Sequence, residues 1–477
     1  MPVELLDFTV GPFCGHTTTD TVRIWGAVNT EHINVQCRGI VRWRKETELD
    51  FPAENQQYFN ILGEDKDGTG IADVPNLDQG TLYIFQAHYF LGEADEHVTW
   101  HEDSHEICMA RTVPASLDAK GTSFILGSCR DHGSLEGDGL SDLTFRMIHQ
   151  AIHNEEYPTP DLMLLGGDQI YVDMGHGFLH SKIYRAQFAE THFDLVRRCI
   201  PTYMQMDDHE VQNDWSRSNV KDDHHTEGLK YFEAYQAASG PVFPTVADYE
   251  TEAFTPLYWY KFDRHDSRYF VMDVRNERFS NNPDASKYEY EWHLRNDEDD
   301  VTEAQIAALV SWIEDAPADK FSFILTPVPL FPDAKPYFWP PFATGSIKEL
   351  WTSNTRQRNE ILDAINASSG KFIFLSGDVH CSFTAQLTLE CGKKVYSIVS
   401  SAMNWMLPGL NKHWFDKEKL RHRSTADGNL EVLNDGHIET RNNYTLVTVR
   451  GSDEVEVVVY DGHHGGQVKE KIQLSGF

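Results

Sequence analysis

The stretches LMLLGGDQIY (residues 162–171) and FIFLSGDVH (residues 372–380) each run from an apolar segment directly into Gly-Asp. Each apolar segment has the length of a buried parallel strand, and glycine lets the backbone turn sharply where such a strand ends. Asp168 and Asp378 are therefore predicted at the carboxyl ends of strands, where open α/β sheets bind their ligands. A shared metal site is the simplest reason for two strand ends so far apart in the chain to converge.

The composition is that of a large, acidic, globular protein. A chain of 477 residues with 40% hydrophobic residues predicts two domains, or one large domain with an appendage. Lys and Arg total 41 against 74 Asp and Glu, so the formal net charge is −33. A field of that sign repels polyanions and argues against broad binding to nucleic acid or to an anionic membrane. A small anionic substrate is still compatible with it, because bound cations reverse the local potential.

The cysteines and the N-terminal residues indicate the cellular compartment in which the protein is expected. Seven cysteines, an odd number without a CxxC pair, do not form a disulfide framework and fit a reducing compartment or one functional thiol. The first residues, MPVELLD, lack the basic and apolar segments of a secretion signal. If they are the natural start, a cytoplasmic location is expected. No stretch approaches the roughly 18 apolar residues of a membrane span. The oligomeric state is not predicted.

The chain divides into two parts by its pattern of secondary structure. Residues 1–115 contain several short alternating strands and predict a small, immunoglobulin-like β-sandwich. Residues 116–477 alternate strands with helices and predict an α/β catalytic domain. Residues 216–300 show no clear period, and we expect a loop-rich insertion there that lines or covers a cleft.

Two residues of the first Gly-Asp stretch, and one cysteine after another predicted strand, have the chemistry of metal ligands. Hard cations prefer carboxylate oxygens, whereas softer or oxidised metals accept thiolate and phenolate. Asp168 is a candidate to bridge two metals, and Tyr171 is close enough in the chain to reach the same ion. Cys129 follows a third predicted strand as a further ligand, with Arg130 expected to lower the pKa of its thiol. An inert core thiol is the alternative.

The sequence MDDHE at residues 206–210 follows a further apolar strand and supplies both metal ligands and a proton donor. Asp208 is a candidate ligand, and Asn213 offers a neutral oxygen to a hard cation. His209 can stabilise charge or donate a proton to a leaving group, with Glu210 orienting its ring. A solvated acidic turn is the alternative.

Two arginines follow the strand at residues 269–272. Arg275 and Arg278 carry planar guanidinium groups that suit bidentate contact with phosphate oxygens. Surface salt bridges with the abundant carboxylates are an equally good explanation from the sequence alone.

Together these motifs resemble those of the PhoD-type alkaline phosphatases, a branch of the calcineurin-like metallophosphoesterases. The matching elements are GSCR (127–130), GDQIY (167–171), DDHEV (207–211) with Asn213, DVR (273–275) and GDVHCS (377–382). The likeness covers about residues 115–465. It implies a four-layer αββα metallophosphoesterase sandwich, preceded by the small N-terminal β-sandwich.

The resemblance also implies a mixed metal centre. It assigns Cys129, Asp168 and Tyr171 to a ferric ion, with Asp168 bridging to calcium or another divalent cation such as manganese. The further candidate ligands that it implies are Asp208, Asn213, Asp378 and His380, the last as a ligand or as a neighbour of one. It gives His209 the task of assisting the leaving group and Arg275, with Arg278 beside it, contact with the phosphate.

The predicted activity is hydrolysis of a small phosphate mono- or diester by a metal-bound hydroxide. A phospholipase-D-like diesterase that acts on a lipid headgroup is a second possibility within the same chemistry. From a different class, the N-terminal sandwich would be a binding module on a degenerate phosphatase scaffold.

Overall fold

The computed structural model describes fourteen segments of the 477-residue chain. They are residues 3–92, 98–100, 106–115, 121–131, 142–174, 179–217, 224–241, 257–280, 291–294, 304–335, 348–405, 413–418, 420 and 429–477. Every helix within these segments is too short or too polar to span a lipid bilayer.

The first seven strands form two sheets that share one core. Cys14 and Ile24 from the first sheet belong to the same buried cluster as Val41 and Phe85 from the second. The predicted N-terminal β-sandwich is therefore confirmed, while the exact boundary at residue 115 stays a prediction. In spatial order, the first sheet contains β1 (Val10–Thr17), β2 (Val22–Ala27) and β5 (Thr69–Val74), and the second contains β4 (Gln56–Asn60), β3 (Cys37–Lys45), β6 (Leu82–Leu91) and β7 (Ile107–Arg111).

Two larger sheets follow, each built around parallel strands. In spatial order, the six-stranded sheet contains β10 (Thr202–Met204), β9 (Leu162–Leu165), β8 (Ser123–Gly127), β20 (Asn443–Arg450), β21 (Glu454–Asp461) and β22 (Val468–Ser475). The seven-stranded sheet contains β11 (Tyr260–Asp263), β12 (Ser267–Val271), β15 (Phe321–Leu325), β16 (Lys371–Ser376), β18 (Lys394–Val399), β17 (Phe383–Thr388) and β19 (Leu430–Val432). A separate hairpin pairs β13 (Arg278–Ser280) with β14 (Trp292–Leu294).

Helices cover the outer faces of the two larger sheets. Phe124 and Phe323, whose ring centres are 5.1 Å apart, lie in the core between the sheets. Four helices share a core with the six-stranded sheet and two with the seven-stranded sheet, so the layers run αββα as predicted. The former are α1 (Leu143–His153), α2 (His180–Phe188), α3 (Thr191–Arg197) and α4 (His224–Tyr235), the latter are α5 (Gln305–Glu314) and α6 (Thr355–Ala367), and a single turn, α7 (Leu433–Gly436), follows β19.

One part of the sequence prediction is wrong. The described part of 216–300 is not a loop-rich insertion, because it contains α4 and the strands β11 to β14. Strand β12 pairs with β15 inside the seven-stranded sheet, and Tyr235 of α4 is fully buried. The apolar positions of α4 are mostly aromatic and stand among charged residues, so that their helical period is weak in the sequence.

The N-terminal sandwich packs directly on the helices of the catalytic part. The side chains of Phe13 and Trp25 point out of the sandwich core and belong to the buried cluster that contains α1 to α4. Their rings stack with centres 5.6 Å apart. Arg197 of α3 lies with its guanidinium 3.7 Å from the centre of the Phe13 ring and 4.9 Å from that of Phe188. Among the described residues, the Arg197 nitrogens have no hydrogen-bond partner, and burial lowers the pKa of this guanidinium. Cation–π contacts therefore hold this joint.

We predict that Trp25→Ala lowers the free energy of unfolding of the whole protein. Trp25 is fully buried and its indole nitrogen donates to the carbonyl of Ala234 in α4 at 2.8 Å. The truncation leaves a cavity at the joint, and the free energy of unfolding should fall by about 3–5 kcal/mol in urea denaturation. Leu49→Ala, whose side chain is 93% exposed, is the control and should change it by about 0.5 kcal/mol or less. Equal effects of the two substitutions would contradict the packing of Trp25.

Candidate metal centre

The carboxyl ends of strands from both larger sheets meet at one place. In the six-stranded sheet, Gly127, Leu165 and Met204 lie side by side as the last residues of β8, β9 and β10. In the seven-stranded sheet, Leu325 and Leu375 occupy the corresponding row in β15 and β16. The residues that follow these ends include Cys129, Asp168, Asp207 and Asp208 from one sheet and Arg275, Asp378 and Ser401 from the other.

Glycine is required where the two Gly-Asp turns approach their neighbours. A Cβ atom at Gly377 would lie 2.2 Å from Ser128 Oγ, closer than any side chain tolerates. Gly167 has φ +97°, and a Cβ atom there would lie 2.4 Å from the Cβ of Asp207. The glycines therefore allow the turns after β9 and β16 to come together, as expected from the sequence.

Several residues of the centre have left-handed backbone conformations. The φ angles are 53° at Cys129, 54° at Asp168, 61° at Asp378 and 49° at His380. Such a conformation costs on the order of 1 kcal/mol or more in a residue other than glycine, so the surrounding structure must hold it in place. The turns are held by backbone hydrogen bonds, including the Cys129 amide to the Gly167 carbonyl at 3.2 Å.

Asp168 lies at the middle of the centre and is almost fully buried. Its Oδ2 atom accepts hydrogen bonds from the Cys129 thiol at 3.5 Å and from the Tyr171 hydroxyl at 3.3 Å. Its Oδ1 atom accepts one from the backbone amide of His209 at 3.3 Å. The Ser401 hydroxyl donates to Cys129 Sγ at 3.1 Å. The structure thus brings the predicted Cys, Asp and Tyr together.

Potential metal-ligand atoms cluster around Asp168 in three overlapping groups. Within each group, the donor atoms lie within 4.8 Å of one another. The groups are Cys129 with Asp168 and His380, Asp168 with Asp208 and His209, and Asp168 with Asp207, Asp208 and Asp378. Asp168 is common to all three. A fourth group, Asp208 with Asp214 and Glu349, lies next to them.

Arg275 is fully buried among the carboxylates. It forms ion pairs with Asp207, with Asp208 at 3.2 Å and with Glu349 at 2.5 Å, and it lies 3.8 Å from Asp378. Its guanidinium nitrogens therefore face the protein's own acids. Burial opposes ionisation of Glu349, but the Arg275 charge outweighs it and lowers the pKa of Glu349 to about 2.

The remaining carboxylates carry more negative charge than one guanidinium balances. Burial and then the charges of Asp208 and Asp207 hold the pKa of Asp168 well above its usual range. Burial also raises the pKa of Asp207 to about 8, against the pull of Arg275. Oxygen donors so close together, with a thiol and a phenol beside them, fit metal cations, which would keep the carboxylates ionised.

His209 is oriented by Asp173. The Nδ1 atom of His209 lies 2.8 Å from Asp173 Oδ1, and its ring centre is 4.2 Å from that of Tyr171. Burial opposes protonation, but Asp208, Asp168 and Asp173 outweigh it and hold the pKa of His209 well above its usual range. Neighbouring negative charge thus favours the imidazolium.

Glu210 does not orient the imidazole, contrary to the sequence expectation. Its carboxylate accepts hydrogen bonds from the backbone amides of Asp168, Gln169 and Asp207, at 3.2, 2.8 and 3.0 Å. It therefore fastens the turn after β9 to the turn after β10. Adjacent side chains in such a turn diverge, which is why the neighbour in sequence is not the partner in space.

Arg130 also differs from the sequence expectation. Its guanidinium points away from the thiol, binding Gln187 and pairing with Glu190 at 2.9 Å. It therefore anchors the Cys129 loop to the junction of α2 and α3. Burial, together with the charges of Asp168 and Asp378, raises the pKa of the Cys129 thiol.

Two further candidates lie at the edge of the centre. Arg278 is buried and donates to the carbonyls of Lys348 and Glu349 at 2.9 and 3.4 Å. Asn213 is exposed, and its backbone amide donates to Asp173 at 2.7 Å. The structure thus leaves both residues beside the cluster, with their predicted roles open.

Sequence reasoning missed five residues in or next to the centre: Asp173, Asp214, Glu349, Ser401 and Trp405. Trp405 stacks on His380 with ring centres 3.8 Å apart. Asp173 and Asp214 have a local signal, because they closely follow the Gly-Asp turn at 167–168 and the acidic motif at 206–210. The fold brings the other three to the centre from distant parts of the chain, namely Glu349, Ser401 and Trp405. Their spacing in the sequence does not predict this position.

Comparison with known proteins identifies relatives of both the sequence and the fold. The sequence profile of a family described as PhoD-like phosphatase matches residues 126–454. A solved structure of PhoD aligns over 98% of this chain and 93% of its own, with a TM-score of 0.64 and 13% identity. Purple acid phosphatase PPD1 from seeds of yellow lupin (Lupinus luteus) aligns over 97% of this chain and 74% of its own, with a TM-score of 0.60 and 12% identity. At these identities the two structures show a shared fold alone. No curated protein sequence matches the chain.

We predict that Arg275→Met destabilises the protein when metal is removed. The substitution leaves Asp207 and Glu349 buried without their cation, and breaking such a buried pair costs about 3–5 kcal/mol. The measurement is the free energy of unfolding in a chelator. Arg441→Met is the matched control, because the Arg441 side chain is 57% exposed where it pairs with Glu439, and we expect a loss of about 1 kcal/mol or less. Similar losses for both variants would contradict the role of Arg275 as the buried counter-ion.

Proposed function

The chain belongs to the PhoD-like phosphatase family, and we propose that its centre binds two metal ions that share Asp168. Family membership makes the protein a hydrolase, a metal-dependent phosphoesterase. We infer that its substrate is a small phosphate ester, a mono- or a diester, because the surrounding charge of the chain disfavours large polyanions.

The central position of Asp168 carries the two-metal proposal. Its Oδ2 atom faces the thiol of Cys129 and the hydroxyl of Tyr171, and its carboxylate also belongs to the all-oxygen group with Asp208 and Asp378. A carboxylate with a different set of donors on each side is suited to bridge two ions, which two-metal phosphoesterases hold about 3.5–4 Å apart.

The two sets of donors favour different metals. Thiolate and phenolate from Cys129 and Tyr171, with Asp168, suit a ferric ion, and His380 is close enough to complete that set. The oxygen-rich set suits Ca²⁺ or another hard divalent cation such as Mn²⁺, with Asp208 and Asp378 as ligands and Asn213 as a further candidate. Bound ions would supply positive charge at the phosphoryl oxygens and lower the pKa of water for attack.

His209 is the residue that we assign to the leaving group. The contact between its Nδ1 atom and Asp173 fixes the ring, so Nε2 is the nitrogen that we assign to the substrate. As the bond between phosphorus and the alcohol oxygen breaks, the proton on Nε2 moves to that oxygen, so no free alkoxide is released. Asp173 is a positioning residue in this scheme, because it acts through the imidazole.

Arg275 has two possible tasks, and its surroundings favour one of them. Direct contact with the phosphate remains a prediction from the sequence. Its full burial and its ion pairs with Asp207, Asp208 and Glu349 support a different task, that of holding the carboxylates in place. The metal ions would then be the principal positive charge that the phosphate meets.

Removal of the bridge tests the function. We predict that Asp168→Asn abolishes hydrolysis of an aryl phosphate and lowers the bound metal by at least one ion per chain, because a neutral amide cannot bridge two cations. Elemental analysis and turnover are the measurements, with aryl monoester, aryl diester and phosphatidylcholine assayed in parallel in Ca²⁺ or Mn²⁺. Asp161→Asn is the control, since Asp161 binds the Ser123 amide at 2.9 Å at the opposite end of β9.

The outcomes separate the alternatives. Wild-type activity on aryl esters alone supports the small-substrate proposal, whereas turnover of phosphatidylcholine would support the phospholipase-D-like reading. If the wild type holds its full complement of metal and hydrolyses none of the three substrates, the result would support a binding module on a phosphatase scaffold. An Asp168→Asn variant that keeps both its metal and its turnover would refute the bridge.

We further predict that Asp173→Asn slows substrates with poor leaving groups selectively. An amide no longer holds the protonated imidazole of His209, so kcat for an alkyl phosphate should fall by about 10²-fold. An aryl phosphate, whose leaving group needs little protonation, should lose far less, and metal content should stay unchanged. Equal losses for the two substrates, or loss of metal, would show that Asp173 acts on the metal ligands instead.

A further inference from the structure

Three histidines form a cluster on the outer helices, away from the metal centre. His149 and His153 are one turn apart on α1, and His192 stands in the first turn of α3. The ring centre of His149 is 5.6 Å from that of His192 and 6.5 Å from that of His153. His153 is exposed and the other two are half-buried, so the cluster is open to solvent.

We propose that His149, His153 and His192 form an auxiliary site for a divalent transition-metal ion such as Zn²⁺. Two imidazoles on one tetrahedral ion, with metal–nitrogen bonds of about 2.0–2.1 Å, have ring centres about 5 Å apart. The 5.6 Å spacing between His149 and His192 is close to that value, and the 6.5 Å spacing between His149 and His153 is larger. The donor nitrogens do not converge within 4.8 Å, so binding requires rotation of the side chains to other rotamers.

One ring nitrogen of the cluster is buried and available to a ligand. The Nδ1 atom of His192 is shielded from solvent and has no hydrogen-bond partner among the described residues. Burial, and then the neighbouring rings of His192 and His153, lower the pKa of His149. An imidazole that stays neutral is ready to bind a metal, because only the unprotonated nitrogen is a ligand. A set of three imidazoles also selects a borderline ion rather than the hard cations that carboxylates prefer.

The backbone beneath the cluster is already fixed. Asp142, which immediately precedes α1, accepts hydrogen bonds from the amides of His192 and Phe193 at 2.9 and 2.7 Å. The ring centres of Phe145 and Phe193 lie 4.6 Å apart between the two helices. The histidines are therefore presented by a rigid pair of helices, so that few degrees of freedom are lost on binding.

A metal at this site would cross-link the helices that hold the Cys129 loop. The guanidinium of Arg130 lies 4.0 Å from the centre of the Phe193 ring and 5.5 Å from that of Phe145. Arg130 thus joins the cysteine turn to the same pair of helices. Binding of Zn²⁺ to the histidines would stabilise the folded state by mass action, without a part in the reaction.

The test compares zinc binding by variants of the full, untagged protein with its catalytic metals in place. We expect the wild type to bind one more Zn²⁺ than His149→Ala/His153→Ala/His192→Ala, by calorimetric titration with ZnCl₂ and by elemental analysis. The single variant His153→Ala should weaken that binding by about 10-fold or more. Zinc should raise Tm in the wild type and not in the triple variant. Unchanged hydrolysis in the absence of added zinc would show that the triple variant is folded.

The matched control is His413→Ala/His437→Ala, which removes two exposed histidines elsewhere on the surface. It should bind zinc as the wild type does. The proposal is overturned if the triple variant takes up as much zinc as the wild type, or if the control loses binding to the same extent. If the triple variant fails to fold, the His153→Ala titration decides in the same way, because this side chain is exposed at the end of α1.

Discussion

The buried ion pairs of Arg275 are the constraint on which the catalytic part of the molecule depends. One guanidinium joins the turn after β10, which carries Asp207 and Asp208, to the turn after β12, from which Arg275 itself extends. Charges removed from water so completely are stable only when each has a partner in good geometry. The two sheets must therefore meet at one register, since any slip would leave a buried charge alone. The other carboxylates carry more negative charge than Arg275 can balance. This excess of negative charge suits the centre to bind cations.

The same junction explains why strained backbone is tolerated there. Cys129, Asp168 and Asp378 all occupy left-handed conformations at strand ends. Each directly follows a buried strand, β8, β9 or β16 respectively. Glu210 ties the Asp168 turn to the turn after β10 through their backbone amides. The donors are thus aimed before any ligand arrives. Preorganisation of this kind lowers the free energy lost when a metal or a substrate is bound.

Local patterns in the sequence were sufficient to place the strands and the acids that follow them. Short apolar runs ending in Gly-Asp predicted β9 and β16, because glycine allows the sharp turn that follows a buried strand. The structure shows that a Cβ atom at either glycine would clash with a neighbouring turn. The same reasoning failed for Glu210 and Arg130, whose neighbours in sequence are not their partners in space. It also could not find Glu349 or Trp405, which enter the centre from loops whose position depends on the packing of the whole seven-stranded sheet. Helix α4 was missed because aromatic residues among charged ones give a weak periodic signal.

The cation–π contacts of Arg197 determine which part of the chain must be kept together for the catalytic part to be stable. Phe13 and Trp25, with Phe188 and Phe193, surround a guanidinium that has no hydrogen-bond partner among the described residues. This guanidinium belongs to α3, the helix that Arg130 joins to the Cys129 turn. The segment matched by the family, 126–454, begins inside β8 and stops where β21 starts. Excised on those boundaries, it would expose the apolar face of the helices that Phe13 and Trp25 cover on one side and an open sheet edge on the other. The unit that must be kept intact in engineering is therefore larger than the homologous segment, because the β-sandwich contributes to the core of the catalytic part.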